Sequence, residues 1–410
     1  MEGKKYQEFP RIKRLPEYVF AIVNDLKARL RKEGEDIIDF GMGNPDLRPA
    51  QHIIDKLCES ARKKTTHRYS MSQGIPRLRK AITDFYRNRF GVELDPEEEA
   101  IVTIGSKEGL SHLMLAMLSP GDMVLVPSPR YPIHYYAPVI AGASVLTVPL
   151  PLEGSDEEKQ EQFLKNIYES YKDSYPEPKV LILNFPNNPT TMTVDIQFFK
   201  EIVKFAKEKG MWIIHDFAYA DLCYDGYKAP SILEVEGAKD IAVETYSLTK
   251  GFSMAGWRVG FVLGNPTLIY NLKRLKSYLD YGTFTPIQVA SIIALESDYS
   301  IVEEARDTYG ERLEILVEGL NKAGWKVQKP KATMFLWAKI PKDFQHLGSI
   351  EFSKLLLTEA NVAVAPGVGF GEHGEGYVRF AVVENTKRIR QAVRNIKRFF
   401  KKYRQQAVVK

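Results

Sequence analysis

The chain reads as an α/β protein with a mostly parallel sheet of seven-stranded type, helices on both faces, and a smaller α+β domain attached. Three observations predict it. In the middle of the 410 residues, short and nearly continuous apolar runs alternate with amphipathic segments, the pattern of parallel strands covered on both sides. The length exceeds what a single core usually organises. Toward the C-terminus, helical patterns dominate and strand-like runs become few.

Taken in order, residues 1–48 form an N-terminal arm and part of the small domain, and include the extended stretch IIDFGMGNPD. Residues 49–295 form the large domain. There EAIVTIG (99–105) reads as a strand and SKEGLSHLMLAML (106–118) as a helix capped by Ser106. DMVLVPS is a strand, and YPIHYYAPVIAG (131–142) a helix closed by Gly142. KVLILNF (179–185) is a buried strand, followed by a helix running from an Asp195 cap to Gly210. MWIIHD, DIAVETYS and WRVGFVLG supply three further strands. Residues 296–410 form the small domain. It is expected to hold a helix over about 299–323, a strand pair around WKVQKPKATMFLWAKI, a helix near 350–360, a strand at YVRFAVV and a final helix.

Composition narrows the function classes. With 44% hydrophobic and 27% charged residues the chain is of the ordinary globular kind, neither disordered nor fibrous. A net charge of +5 is modest for this length, and the basic stretch from Arg388 to Arg404 reads as a solvated helix face rather than a nucleic-acid patch. Cys58 and Cys223 stand far apart, which suggests neither a disulfide framework nor a metal cage, so no metal is expected and a reducing cytoplasm fits. The N-terminal MEGKKYQEFPRIKRLPEYVF has no apolar segment after its positive charges, and no run of 18 apolar residues occurs, so neither an export signal nor a membrane span is read.

In open α/β sheets, ligands sit beyond the carboxyl ends of the strands. Those ends carry the informative residues. The strand at 179–185 leads into Asn187, Asn188 and Pro189; the one at 211–215 ends at Asp216, three before Tyr219; the one at 240–246 ends at Ser247, three before Lys250; and the one at 101–104 ends at Gly105 and Ser106. Each has a plain alternative: a turn for Asn187 to Pro189, a helix cap for Asp216, core packing for Tyr219, a solvated side chain for Lys250. Their conjunction at four strand ends favours a ligand site. Ser106, Ser247 and the guanidinium of Arg258 suit a phosphate. A lysine beside that phosphate, with a carboxylate from a neighbouring strand, suits a Schiff base to a phosphorylated aldehyde whose ring nitrogen needs a partner, namely pyridoxal 5'-phosphate.

Y-x-x-x-x-G-x-x-x-L-R at 69–79, N-N-P-T at 187–190, D-x-x-Y at 216–219, S-L-T-K at 247–250, G-W-R-V-G at 256–260 and Arg379 in YVRFA occur together, and through them the whole chain resembles the fold-type-I pyridoxal-phosphate enzymes of the class I/II aminotransferase family. HDFAYADLCYDGYKAPSI, YGTFTPIQVA and GVGFGEHGEGYVRFA are similar to segments of the bacterial glutamate-pyruvate (alanine) aminotransferases, whose relatives act on aspartate or LL-diaminopimelate. The resemblance implies that Lys250 carries the cofactor and moves the Cα proton, and that Asp216 pairs with the ring nitrogen. It implies that Tyr219 and Asn188 bond the ring oxygen and that Tyr131 stacks on the ring. The phosphate would be held by the main chain of Ser106 and Lys107, by Ser247 and Arg258, and by Tyr69 from the other subunit of a homodimer. Arg379 would clamp the substrate α-carboxylate, with Gly43 and Asn188 assisting. The reaction implied is transamination between an L-amino acid, alanine by preference, and 2-oxoglutarate. A pyridoxal-phosphate C–S lyase is the rival from another reaction class. Neither nucleic acid nor membrane is an expected partner.

Overall fold

A computed structural model describes residues 7–16 and 19–408. Its strands, in chain order, are β1 (Ile38–Asp39), β2 (Ala100–Thr103), β3 (Met123–Ser128), β4 (Ser144–Pro149), β5 (Val180–Leu183), β6 (Trp212–Asp216), β7 (Ala242–Ser247), β8 (Gly260–Gly264), β9 (Phe335–Lys339), β10 (Val362–Ala363), β11 (Ala365–Pro366) and β12 (Tyr377–Ala381). Seven of them build one sheet in the order β2-β8-β7-β6-β5-β3-β4. Within it β8 runs antiparallel to both neighbours while the other pairings are parallel.

Both faces of this sheet are covered, and the period of two along each strand sorts the side chains. Val180, Ile182, Ile214, Val243 and Val262 point to one face and pack with Leu110, Leu113, Leu268 and Leu272 of the helices Ser106–Met117 and Pro266–Leu279. Leu181, Leu183, Ile213 and Phe261 point to the other, against Ile82, Phe163, Phe199 and Ile202 of the helices Pro76–Phe90, Asp156–Lys172 and Ile196–Lys209. Asp195 caps the last of these by accepting from Phe198 N at 2.9 Å, and Gly210 ends it in the left-handed region.

A separate core gathers around the antiparallel sheet β11-β12-β9 and the helices Ser300–Lys322, Gly348–Ala360 and Thr386–Val408. The N-terminal segment joins this core, since β1 pairs in parallel with β10.

Three details differ from the sequence reading. The residue capping the helix Ser106–Met117 is Gly105, at φ 78°, and Ser106 is its first helical residue with no side-chain cap bond. Only β9 forms from WKVQKPKATMFLWAKI. Trp325 is buried against Phe352 and Phe380, the Asn321 side chain bonds both the N–H and the C=O of Val327, and Pro330 has no N–H for a ladder. The seventh strand of the large sheet, β4, has no counterpart in the sequence reading because it lies at the edge and is half exposed along most of its length.

A buried carboxylate cross-links the sheet to the helix above it. Glu244 on β7, fully buried, accepts from Tyr86 Oη and Ser231 Oγ at 2.7 Å through Oε1, and from His215 Nδ1 at 2.7 Å and Ile232 N at 3.1 Å through Oε2. Removing it strands four buried donors. Glu244→Ala is therefore expected to destabilise the protein by about 3–5 kcal/mol, measured as a fall in the urea midpoint, whereas a change of the exposed Glu161 leaves that midpoint in place.

Candidate active site

The carboxyl ends of β5, β6 and β7, the Gly105 turn after β2 and the small sheet enclose a cavity of about 490 Å³. Gly43, Ser106, Lys107, Tyr131, Asn188, Asp216, Tyr219, Ser247, Lys250, Arg258 and Arg379 all line it. Tyr69 does not. Its side chain is 86% exposed and lies against Tyr281, ring centroids 4.6 Å apart.

Two floors of chemistry are visible in the cavity. At one end, the first turn of the helix Ser106–Met117 presents backbone N–H groups that have no partner within the helix. The guanidinium of Arg258 lies against this end: a Cβ on Gly105 would stand 2.3 Å from Arg258 Nη2, and a Cβ on Gly260 would stand 2.5 Å from Ser106 N. Only glycine permits the approach at both positions. Ser247 Oγ is held toward the same end by Thr249, donating to its Oγ1 at 2.7 Å and accepting from its N–H at 3.1 Å. Helix end, guanidinium and hydroxyl form a cradle whose chemistry suits a tetrahedral dianion.

Deeper in, Asp216 is 7% exposed and ends β6. Its Oδ2 lies 2.8 Å from His134 Nε2, and its Oδ1 accepts from Thr245 Oγ1 at 3.1 Å. Burial would raise its pKa, but the His134 and Thr245 hydrogen bonds and the nearby His215 hold it below the usual aspartate range. Tyr131, at the start of the helix Pro132–Ala141, faces the cavity with its ring 5.9 Å from the His134 ring and the same distance from Lys107 Nζ.

Lys250 Nζ donates to Gly43 O at 2.9 Å and stands 5.8 Å from the Tyr219 ring centre. Burial first, then the guanidinium groups of Arg379 and Arg258, lower its pKa to about 7 against an upward pull from Asp216. The amine is thus poised between its charged and nucleophilic forms. Burial likewise pushes the Tyr219 phenol well above its ordinary value, so it stays protonated, and it accepts from Asn188 Nδ2 at 3.4 Å.

Arg379 enters from β12, where register sets it opposite Ala365 and Trp337. It donates to Asn188 Oδ1 at 2.7 Å and Gly41 O at 3.2 Å, and its guanidinium lies 4.2 Å and 4.6 Å from the Phe335 and Phe370 ring centres. The aromatic walls exclude water around a planar cation built to pair with a carboxylate.

The sequence reading missed His134, Thr245 and Asn184. Asn184 at the end of β5 donates to Asp216 O at 2.7 Å and accepts from Asn188 N at 2.9 Å. Two of the three had a signal. Thr245 precedes Ser247 by two and so shares its face of β7, and Asn184 is the polar residue closing the apolar run KVLILNF. His134 had none, since a histidine in an apolar helix reads as core.

A family model described as "Aminotransferase class I and II" matches residues 35–396. Glutamate-pyruvate aminotransferase AlaC of Escherichia coli (strain K12) is 55% identical over 395 residues, covering 96% of this chain and 94% of that one. LL-diaminopimelate aminotransferase of Moorella thermoacetica is 39% identical over 392 residues, covering 96% and 98%. The substrate-bound structure of BacF from Bacillus subtilis matches with a TM-score of 0.85 at 35% identity, covering 96% and 98%. This chain is an enzyme of the transaminase type and belongs to the class I and II aminotransferases.

Proposed function

We propose that the protein is a pyridoxal-phosphate-dependent transaminase that exchanges the amino group of alanine for the oxo group of 2-oxoglutarate by a ping-pong mechanism. The observation that carries the cofactor is the pairing of a glycine-permitted anion cradle with a buried carboxylate kept ionised, separated by a neutral-capable lysine. The 55% identity to a glutamate-pyruvate aminotransferase supports the substrate pair. The same comparisons keep LL-diaminopimelate as the second reading.

The residues fit the cofactor. The main-chain N–H groups of Ser106 and Lys107, with Ser247 and Arg258, would hold its phosphate, Tyr131 would stack on its ring, and Asn188 and Tyr219 would bond its ring oxygen. When bound, pyridoxal phosphate supplies an aldehyde carbon that joins an amine and a ring that takes up the electron pair left by a departing proton. Asp216, its charge kept by His134 and Thr245, would hold a proton on the ring nitrogen. The α-carboxylate of the amino acid docks on Arg379, with Gly43 and Asn188 closing around it. The Lys250 amine, uncharged in part near neutral pH, would take the Cα proton of the bound amino acid onto Nζ and hold it there for return. Among the described residues, four cations line the cavity. With Arg258 on phosphate, Arg379 on the α-carboxylate and Lys250 on the proton, Lys107 is left to meet the second carboxylate of glutamate or 2-oxoglutarate.

We propose a division into an arm over 1–48, a large domain over 49–295 and a small domain over 296–410, working as a homodimer. The exposed aromatic side chains of Tyr69 and Tyr281, packed on one another, support the dimer. In it Tyr69 would reach the phosphate of the second copy. The two free cysteines suit a cytoplasmic setting.

Mixed singly with the loaded enzyme, alanine and glutamate are each expected to convert the cofactor and change its absorbance. Lys107→Ala is expected to raise the glutamate requirement about tenfold or more with little effect on alanine. Pyruvate and ammonia released from cystathionine without an added oxo acid would instead establish a lyase. Lys250→Ala is expected to lose all cofactor trapped by borohydride and to slow turnover by at least about 10²–10⁴-fold; a reducible lysine adduct surviving in that variant overturns the assignment. In the cofactor-free chain, Lys250 should react with an amine reagent along a pH curve centred near 7, far below the ordinary lysine value of 10.5. Since the unfolded chain holds this proton more tightly, the buried lysine costs folded stability below pH about 7, and that cost fades as pH rises from there toward 10.5. Arg379→Gln removes a neighbouring cation and should shift the curve upward.

A further inference from the structure

One ammonium that no step above uses lies directly behind the anion cradle. Lys276, in the helix Pro266–Leu279, has 0% of its surface exposed. Its Nζ donates to Glu108 Oε1 at 2.7 Å and to Asp280 Oδ2 at 3.0 Å. A lysine so removed from water is retained only where carboxylates answer it.

Each carboxylate reaches onward with its other oxygen. Glu108 Oε2 accepts from Ile104 N at 2.8 Å, fixing the chain where it enters the Gly105 turn. His112, one turn further along that helix, also contacts Glu108 Oε1. Burial would raise the Glu108 carboxyl, but His112 and Lys276 hold it below the usual glutamate range, so the charge persists. On the other side, Asp280 Oδ1 accepts from Gly282 N at 2.7 Å. Gly282, at φ +76°, is pressed so close to the chain that a Cβ would lie 2.7 Å from Met71 O. Its neighbour Tyr281 packs on Tyr69. The Glu108, His112 and Asp280 oxygens and nitrogen would also suit a metal ion, but the ammonium already engages the two carboxylates.

Lys276 therefore joins two elements assigned above to the phosphate, the helix end with Ser106 and Lys107 and the segment that offers Tyr69 to a second copy. We propose that Lys276 is a positioning residue for the cofactor's phosphate, acting through Glu108 on the helix end and through Asp280 on the Tyr69 segment. The proposal rests on the reading that this cradle holds phosphate.

The test compares two probes on the full-length chain, pyridoxal phosphate and pyridoxal, which lacks the phosphate. Lys276→Met keeps the length and removes the charge; its affinity for pyridoxal phosphate should fall about ten- to a hundredfold while that for pyridoxal stays within about twofold. Glu108→Gln keeps an acceptor for Ile104 N and should move the ratio of the two affinities the same way, which preserves the comparison if the methionine variant does not fold. Equal losses for both probes, or unchanged pyridoxal phosphate affinity, overturn the proposal, because a residue that merely stabilises the fold does not sort ligands by their phosphate. If the wild-type chain forms no reducible adduct on Lys250, the reading of the site falls, and this proposal with it.

Discussion

Asp216 carries its charge at the end of a central strand where water scarcely reaches it, and most of the cavity is arranged around that fact. Moving a carboxylate out of water costs several kcal/mol even after relaxation. His134 and Thr245 answer one oxygen each, and Asn184 fixes the backbone carbonyl of the same residue. These partners come from three different elements, so the charge can be kept only if the helix Pro132–Ala141, β5 and β7 all hold their places. The same requirement orders the cavity: Asn184 that braces Asp216 also holds the backbone of Asn188, which in turn meets Tyr219 and Arg379.

Charge at the other end is handled in the opposite way. Around the cradle, the helix end and Arg258 concentrate positive potential, and glycine at 105 and 260 lets them approach. Arg258 itself sits at φ 56°, a conformation that ordinary side chains avoid, and reaches Ala255 O at 3.1 Å. Lys250 stands between these two fields. Arg258 and Arg379 discourage its proton while Asp216 encourages it, which is why a lysine here behaves unlike one on the surface. A bound phosphate would offset Arg258 and a bound carboxylate would offset Arg379, so the lysine's proton affinity is coupled to what occupies the cavity.

Much of this was legible in the sequence because it is local. The cap at Asp195, the stop at Gly210 and the polar residues closing β5, β6 and β7 follow from the identity of a residue and its near neighbours. Ser106 was placed at the right turn but in the wrong role, since what that turn requires is the positive φ of Gly105 and the absence of its side chain beside Arg258. What stayed hidden is tertiary. His134 and Asp216 are 82 positions apart, and Lys276 and Glu108 are 168 apart. Neither histidine nor lysine in an amphipathic helix declares such a partner. The edge strand β4 was hidden for the converse reason, because half exposure blurs the apolar run that marks a central strand.

Arg379 and Asn188 belong to different cores, one on β12 and the other beyond β5, yet they share a hydrogen bond of 2.7 Å. Under the proposed reading that bond lies where the substrate carboxylate must enter. A carboxylate arriving there brings two acceptors to a guanidinium walled by Phe335 and Phe370, where water is scarce and each charge-assisted bond gains strength. It therefore contacts both cores at once, and the binding energy it contributes favours arrangements in which they lie close. Recognition of the one group common to all amino acids would then also draw the site shut. Under the same reading, discrimination among amino acids would fall to the side-chain end of the cavity, where Lys107 Nζ stands 5.9 Å from the Tyr131 ring centre. Relatives at 55% and 39% identity carry the names of different substrates, and under the proposed reading that difference would rest on the few residues at this end of the cavity.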